Sequence, residues 1–226
     1  MNVFGALGPR AIAWFATRRD VRVSVEGLEN VPRVGPALIA ARHYHHLHDG
    51  VALVTLLPRT PHIFVALDWA RTRAQRFVME TVCRISEFPV ILRPENLDDG
   101  TSAFDRSEVL RYTRRALELS TSLLARGELL VVFPEGHPTI DPVRRHKTGD
   151  TAFLPFRPGL LAIVARAERA AQRSIPIVPA GLAYRRTDRF DVTLRFGEPL
   201  QWNRDVPRET FLATLGDRVR ELSGVT

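Results

Sequence analysis

The sequence has one cysteine, Cys83, and one lysine, Lys147, among 226 residues. A lone cysteine excludes an internal disulfide and is consistent with a reducing compartment. Because Cys83 falls inside a helical pattern, we expect it to pack in the core. No apolar run approaches the roughly 18 residues of a membrane-spanning helix. The sequence also has no internal repeat, low-complexity run or linker, so we expect a single domain.

The charge is unbalanced, because 32 basic residues face 25 acidic ones and give a net charge of +7. Since Lys147 is the only lysine, nearly all of this positive charge comes from arginine. Such a chain should attract anionic partners, which include nucleic acid, phosphorylated substrates and an anionic bilayer. Only the charge favours a nucleic-acid-binding module, and no recognised motif or aromatic platform accompanies it. We therefore expect no nucleic-acid partner.

Residues 1–20 form a segment that is rich in apolar and aromatic residues and ends in arginines. This composition predicts an amphipathic helix that anchors the protein in a membrane interface, with a helix that caps the core as the alternative. The segment lacks a basic start and is interrupted by Gly8-Pro9-Arg10, which argues against a cleaved signal peptide. Its characteristic residues are Val3, Phe4, Leu7, Ile12, Trp14, Phe15, Arg18 and Arg19.

Strand and helix patterns alternate along the rest of the chain. This alternation is typical of an α/β domain with a mostly parallel central sheet flanked by helices, which we assign to residues 21–226. Strands are predicted at 21–25, 37–41, 62–67, 88–93, 129–133, 175–182 and 192–200. Helices are predicted at 51–57, 69–82, 106–126, 159–170 and 207–222, with Arg71, Arg73 and Arg76 on the outer side of the second.

The most informative stretch is A-L-I-A-A-R-H-Y-H-H-L-H-D-G at residues 37–50. Its apolar half, Ala37 to Ala41, predicts a buried strand of the parallel type. Four of the seven histidines follow within six residues, and Asp49-Gly50 closes the block. Open α/β sheets keep their sites at the carboxyl ends of strands, so these imidazoles are candidate functional groups. They are His43, His45, His46 and His48.

Two more predicted strands run into polar residues in the same way. The strand at 88–93 ends in Arg93, and the strand at 129–133 runs into F-P-E-G at residues 133–136, with Thr139 shortly after. Parallel strands end at a common edge, so we expect these residues to lie near the histidines.

The histidine cluster also allows a different class of function, a metal-dependent hydrolase. His43-x-His45, with His46, His48 and Asp49 nearby, superficially resembles the H-x-H-x-D-H metal block of metallo-β-lactamase-like proteins. Here the aspartate follows the last histidine, and matched downstream ligands are lacking. This interpretation is kept as the alternative.

The ordered blocks resemble the glycerolphosphate acyltransferase superfamily, which includes bacterial 1-acyl-glycerol-3-phosphate acyltransferases. That family has a His-x4-Asp block after a strand, a strand that ends in arginine, and F-P-E-G followed two residues later by Ser or Thr. It also has a later strand with a proline, here V-P-A-G (178–181). P-F-R-P-G (155–159) resembles its F-K-x-G, and R-F-G-E-P-L (195–200) its closing strand and turn. The match covers residues 37–200.

The sequence departs from the family at the histidine block, where Tyr44 occupies the family's histidine position. His43 gives His-x5-Asp and His45 gives His-x3-Asp. The strand register favours His43, because it follows Ala40-Ala41-Arg42 where the family has Asn-His, and one extra residue must then be looped out before Asp49. His45 remains the alternative base.

The resemblance implies acyl transfer from acyl-CoA or acyl carrier protein to the hydroxyl of lysophosphatidic acid or a related lysophospholipid. His43 would be the general base, because an alcohol is a poor nucleophile until it loses its proton, and Asp49 would orient it. No acyl-enzyme, metal or cofactor is implied beyond the acyl donor. The implied location is the cytoplasmic face of the cell membrane, in peripheral or monotopic attachment to its anionic surface.

The resemblance also implies which residues bind the acceptor. An arginine fork suits phosphate oxygens, and a glycine lets backbone N–H groups approach them. We expect Glu135 to pair with an arginine or to bind glycerol hydroxyls, since it would repel a phosphate. Pro138 stands where the family usually has an arginine, so part of the phosphate binding is expected at Arg144 or Arg145. The implied binding residues are Arg93, Glu135, Gly136, Thr139 and Arg157.

Overall fold

The computed structural model describes residues 21–98, 100–141, 144–186 and 188–225. The strands are β1 (Val21–Glu26), β2 (Ala37–Ala41), β3 (Pro61–Ile63), β4 (Val65–Ala66), β5 (Val90–Ile91), β6 (Leu129–Val132), β7 (Ile177–Arg186) and β8 (Phe190–Phe196). The helices are α1 (His48–Leu56), α2 (Arg73–Ile85), α3 (Val109–Ala125), α4 (Gly159–Ala171) and α5 (Arg208–Leu222). Short 3-10 turns lie at Leu28–Asn30, Pro94–Asn96 and Arg106–Glu108.

Six strands form one sheet in the order β1-β8-β7-β2-β6-β3, and β4 and β5 form a separate pair. All neighbours pair in parallel except β7 and β8, which form an antiparallel hairpin. The predicted α/β architecture with a mostly parallel sheet is therefore confirmed.

The central strand β2 explains why residues 37–41 are a continuous apolar run. All five side chains have no accessible surface, because helices cover both faces of the sheet at this point. Leu38 and Ala40 contribute to the core under α3, α4 and α5, whereas Ala37, Ile39 and Ala41 contribute to the core under α1. The strand thus holds the following residues at a fixed position on the sheet edge.

A third apolar cluster lies beside β4 and β5, under α2 and the start of α3. Its buried members are Leu67, Ala70, Cys83, Leu92, Leu97, Phe104 and Tyr112. Cys83 belongs to this cluster, as expected for a core residue.

Local boundaries differ from the predictions where tertiary pairing intervenes. The strand predicted at 62–67 is divided, because the Phe64 N–H bonds to β6 at Val131 and the next N–H, of Val65, bonds to Pro89 beside β5. The second helix starts later than predicted, at Arg73, where Thr72 and Gln75 form a capping box. Arg76 was predicted on the outer side, but it points inward and donates to Glu108.

The predicted N-terminal amphipathic helix, residues 1–20, lies outside the described residues. Among the residues that are described, no helix is long and apolar enough to cross a membrane.

Candidate active site

The site lies at the carboxyl ends of β2, β5 and β6. Because β2 and β6 are parallel neighbours, the residues after Ala41 and after Val132 emerge at the same edge. Backbone bonds then join the two connections, from the Thr139 N–H to the His43 carbonyl and from the Ile140 N–H to the Tyr44 carbonyl. The histidine block and the F-P-E-G block are therefore brought together, as the strand pattern predicted.

His43 and Asp49 form a hydrogen-bonded pair. His43 Nδ1 lies 2.9 Å from Asp49 Oδ2, and the Asp49 side chain is fully buried while 15% of the His43 side chain is exposed. The His43 ring stacks on Phe133 at a centroid distance of 4.3 Å, which fixes its plane. When Nδ1–H donates its hydrogen bond to the carboxylate, Nε2 carries the free lone pair of the neutral imidazole.

The buried charge of Asp49 is compensated by several donors. Oδ2 also accepts the backbone N–H groups of Tyr44 at 2.7 Å and His45 at 3.0 Å. Oδ1 accepts the Tyr184 hydroxyl at 2.6 Å. Asp49 also lies in the first turn of α1, where the helix dipole favours a negative charge. These contacts hold the carboxylate in one orientation toward His43.

The longer His-x5-Asp spacing is accommodated by a turn around the Asp49 carboxylate. Tyr44, which stands at the family's histidine position, is turned inward and stacks on Tyr184 at 4.2 Å. In this turn the Tyr44 and His45 N–H groups both donate to Asp49 Oδ2, and the His43 ring reaches the same oxygen.

His45 has a different environment from His43. Its Nδ1 accepts the backbone N–H groups of Leu47 and His48 at 3.2 and 3.3 Å, so the ring caps the start of α1. It stacks on His48 at 3.7 Å and on His46 at 4.6 Å. Burial, followed by the neighbouring histidines, lowers its pKa to about 4. Its imidazole makes no hydrogen bond to Asp49 within the described residues.

Glu135 pairs with no arginine of the described residues, and its oxygens are occupied by other partners. Oε1 accepts the His43 N–H and Oε2 accepts the Leu154 N–H, both at 2.9 Å. Oε2 also forms an ion pair with Lys147 Nζ at 2.6 Å, and neither side chain has any exposed surface. The expectation of an arginine partner is therefore corrected, since the partner is the chain's only lysine.

Lys147 is not among the binding residues that the resemblance implies, yet it contacts the histidine block directly. Its Nζ donates to the His43 carbonyl at 2.7 Å as well as to Glu135. Burial lowers its pKa, and the Glu135 carboxylate opposes that shift. The one available signal in the sequence was a single lysine kept among many arginines.

Arg93 is buried and enclosed by acidic partners. Its Nε and Nη2 donate to both oxygens of Asp68 at 2.8 to 3.1 Å. Its Nη1 reaches Asp141 Oδ2 at 3.4 Å, the Gly136 carbonyl at 3.4 Å and His137 Nδ1 at 3.3 Å. Two carboxylates therefore balance the charge of the arginine that sequence reasoning assigned to phosphate.

Gly136 and Arg157 lie in contact beside this network. Gly136 has a φ of 77°, in the left-handed region, and a Cβ there would lie 2.8 Å from Arg157 Nε. The backbone conformation therefore favours glycine, and the absence of a side chain also leaves room for the arginine. Arg157 is 52% exposed and donates to Glu95 at 2.9 Å. Burial alone would raise the pKa of Glu95. Hydrogen bonds, including those from Arg157 and His137, outweigh burial and lower this pKa to about 2.

Thr139 is also close to His43, but through its backbone. Its N–H donates to the His43 carbonyl, while its buried Oγ1 has no hydrogen-bond partner in the described part of the chain.

A cavity of about 460 Å³ opens beside the His43 ring. Its polar end is formed by His43, Arg93, Gly136 and Arg157, and the rest of its wall is largely apolar. Its size suits a small-molecule or acyl-chain ligand. The apolar wall includes Phe64, Ala66, Ile91, Leu92, Val109, Ala116, Leu117, Val132, Leu160, Ala162 and Ile163.

Two other candidate chemistries are a cysteine nucleophile and a bound metal ion. Burial, followed by Glu80, raises the pKa of Cys83 to about 11, so its thiol is a poor nucleophile at neutral pH. Within the described residues, no three His, Cys, Asp or Glu side chains converge closely enough to hold a metal ion.

Comparison with known proteins identifies the family of the chain. A family model described as Acyltransferase matches residues 22–183, which is most of the chain. The structure is similar to that of PlsC, a 1-acyl-sn-glycerophosphate (LPA) acyltransferase from Thermotoga maritima, with a TM-score of 0.60 and 17% sequence identity over 96% of this chain and 79% of that one. At this identity the likeness concerns the fold. Comparison with curated proteins gives no significant match. The family match favours acyl transfer over the metal-dependent hydrolase, and the chain belongs to the acyltransferase family.

Proposed function

We propose that this protein transfers a fatty acyl group from acyl-CoA or acyl carrier protein to a hydroxyl of 1-acyl-glycerol-3-phosphate or a related lysophospholipid. The single observation that carries the proposal is the His43–Asp49 pair, with the His43 ring at the polar end of an apolar cavity. The family model gives the reaction class. The name of the Thermotoga structure suggests the acceptor.

His43 is the proposed general base, and Asp49 keeps its proton on Nδ1. The acceptor hydroxyl then gives its proton to Nε2 as its oxygen bonds to the thioester carbonyl carbon. The carbonyl electrons move to the carbonyl oxygen, where backbone N–H groups of the strand-end turns stabilise the negative charge. When the carbon–sulfur bond breaks, the thiolate takes the proton from His43. Ester and free thiol leave, without an acyl-enzyme or a cofactor.

Glu135 and Lys147 are proposed as positioning residues in this reaction. Glu135 accepts the His43 N–H, and Lys147 donates to the His43 carbonyl, so the two side chains hold both backbone groups of the base. Their mutual ion pair is buried, which makes this arrangement rigid. The base is therefore held from its backbone by these residues and from its ring by Asp49.

The apolar part of the cavity is proposed to hold an acyl chain, and its polar end the groups beside the reacting bond. An acyl chain has no hydrogen-bonding groups, so a wall of aliphatic side chains from α3, α4 and β4–β6 is a suitable environment. This placement puts the thioester or ester carbonyl within reach of His43.

The acceptor phosphate is proposed to contact Arg157 first. Arg157 is half-exposed at the polar end of the cavity, and its one carboxylate partner, Glu95, is itself partly exposed. Arg93 is instead buried, and Asp68 and Asp141 balance its charge. Arg144, which donates to the Glu95 carbonyl nearby, is a further cation for the same phosphate. Arg93 and Gly136 then shape the polar end of the pocket, and Thr139 supports it by donating its N–H to the His43 carbonyl.

The proposed setting is the cytoplasmic face of the cell membrane, where both the acceptor and its product reside. The protein is peripheral or monotopic there, with residues 1–20 as an interfacial segment. The net charge of +7 supports attraction to an anionic surface.

The test measures thiol release from acyl-CoA, with and without lysophosphatidic acid. We expect acceptor-dependent release by the wild type and its loss by about a thousandfold or more in His43→Ala and Asp49→Ala. His45→Ala should keep activity once its lower stability is allowed for, and the exposed His46→Ala is the matched control. Loss at His45 alone would move the base to that residue. No release from folded protein with any acyl donor and acceptor would refute the proposal.

A further inference from the structure

Helix α2 presents a row of large apolar side chains to solvent. Phe77 is 69% exposed, Val78 55%, Val82 46% and Ile85 77%. Their spacing places them on one side of the helix, and we call these four residues the α2 outer face. A contiguous apolar surface of this kind on a soluble protein usually marks an interaction site.

The outer face is exposed although the helix itself is firmly packed. On the inner side, Met79 and Cys83 belong to the third apolar cluster, and Arg76 is bonded to Glu108 of the turn before α3. The capping box at Thr72 fixes the amino end. The helix therefore cannot rotate to bury the row without breaking these contacts.

The exposed charges on α2 and on the turn that leads into it are positive, although Asp105 and Glu108 lie across a cavity from Phe77. Arg71, Arg73 and Arg84 are exposed, and within the described residues none of them forms an ion pair. Glu80 is the only acidic residue of α2, and it is turned inward to Tyr112 and Arg76. An apolar row bordered by arginines is the composition of a helix that lies in the interface of an anionic bilayer.

The position of α2 in the fold is compatible with contact between its outer face and a bilayer. The helix connects the parallel strands β4 and β5, so its amino end lies at the carboxyl edge of those strands. That edge also carries Arg93, whose Nη1 reaches the F-P-E-G block at the Gly136 carbonyl. Phe77, near the amino end of α2, is thus the part of the outer face nearest the edge that carries the candidate active site. At 13 residues, α2 is about 20 Å long and suits contact along the surface.

We propose that the α2 outer face inserts into the interfacial region of an anionic phospholipid bilayer. A second copy of the chain is a poorer occupant, because symmetric pairing of this face would bring like charges from Arg73 and Arg84 together. The inference rests on the proposed function only in its explanation of why the protein would bind a bilayer, which is to reach a lipid acceptor. Bilayer binding itself can be measured without catalysis.

The test is flotation of the full chain with phosphatidylcholine vesicles that contain or lack phosphatidylglycerol. Phe77→Glu combined with Ile85→Glu should reduce the bound fraction by about tenfold or more on anionic vesicles. Arg73→Gln combined with Arg84→Gln should weaken binding only to anionic vesicles, and most at low salt. The matched control is Val34→Glu, which is 83% exposed in the turn before β2, and it should bind like the wild type.

Three outcomes would overturn the inference. In the first, the Phe77→Glu/Ile85→Glu variant binds vesicles like the wild type. In the second, the wild type is a dimer that these substitutions dissociate, which assigns the face to a second copy. In the third, they lower the unfolding temperature without affecting binding, which assigns the face to another segment of the same chain.

Acyl transfer is measured in parallel with a detergent-dispersed acceptor. Failure of the proposed function would abolish transfer in the wild type while binding still depends on the outer face. Failure of this inference would leave transfer intact while binding does not depend on that face.

Discussion

At the scale of single residues, the buried pair of Glu135 and Lys147 is the least expected feature of the site. Both side chains have no exposed surface, and their contacts with His43 cross 92 and 104 positions of sequence. A buried ion pair is rarely retained for stability alone, since desolvation offsets most of its attraction. Its contacts with both backbone groups of His43 give a specific reason for it.

We expect Lys147→Met to lower stability by about 3–5 kcal/mol, because Glu135 is left as a buried charge without its partner. The turnover number should fall as well, since the His43 carbonyl keeps only the Thr139 N–H of its two donors. Urea unfolding and acyl-CoA thiol release measure the two effects.

The double variant Lys147→Met/Glu135→Gln separates positioning from stability. Removal of both charges should restore much of the stability, while the turnover number stays low because His43 is held less firmly. A double variant that regains full activity would show that the pair contributes stability only.

At the scale of elements, the start of α1 depends on a neutral histidine. The His45 ring accepts two backbone N–H groups there, and it can do so only while Nδ1 is unprotonated. Burial and neighbouring histidines lower its pKa from 6.5 to about 4. The pKa of His137 is also lowered to about 4, by burial and by the nearby His146 and Arg93, so this ring too resists protonation in the folded protein.

Stability should therefore fall with acidification between about pH 6.5 and pH 4. In this window the unfolded chain binds protons that the folded chain excludes, so protons favour unfolding. His45→Asn keeps a side-chain acceptor but removes the titration, and it should flatten the pH dependence of the unfolding temperature. The exposed His46→Asn is the control, and an equal effect of both substitutions would contradict the role of His45.

At the scale of the whole molecule, the cavity exists only because α3 and α4 pack beside the ends of β4, β5 and β6. Its walls come from segments that are far apart in the sequence, and its polar end meets the His43–Asp49 pair. The distance from this end to the far wall should limit the acyl chain that the enzyme accepts.

Ala162→Leu narrows this cavity from α4. We expect a preference for shorter acyl-CoA chains, with kcat/KM for long chains reduced about tenfold and short chains little affected, since a few methylenes are excluded. A series of acyl-CoA chain lengths measures the shift. Ala213→Leu, on the exposed side of α5, is the matched control, and an unchanged profile in Ala162→Leu would place the chain elsewhere.

The sequence by itself determined the fold class and the order of the site blocks. Strand and helix periodicities depend on neighbours within a few positions, so patterns such as the apolar run at Ala37–Ala41 and the helix ending near Arg126 are readable locally. The carboxyl ends of parallel strands in one sheet meet at one edge, which predicts that His43 and Glu135 lie together. Arg93 joins them from β5, which belongs to the separate strand pair. Boundaries within 62–67 failed because the pairing partner changes at Phe64.

Only the tertiary structure decided which histidine faces Asp49, because a turn of six residues can direct either ring toward the carboxylate. The His43 ring is held by Phe133, and the His45 ring caps α1. The partners of Glu135 and Arg93 could not be predicted either, since tertiary packing, and not spacing in the sequence, brings Lys147 and Asp68 to them. The same holds for the α2 outer face, because periodicity identifies an apolar side of a helix but not whether the fold covers it.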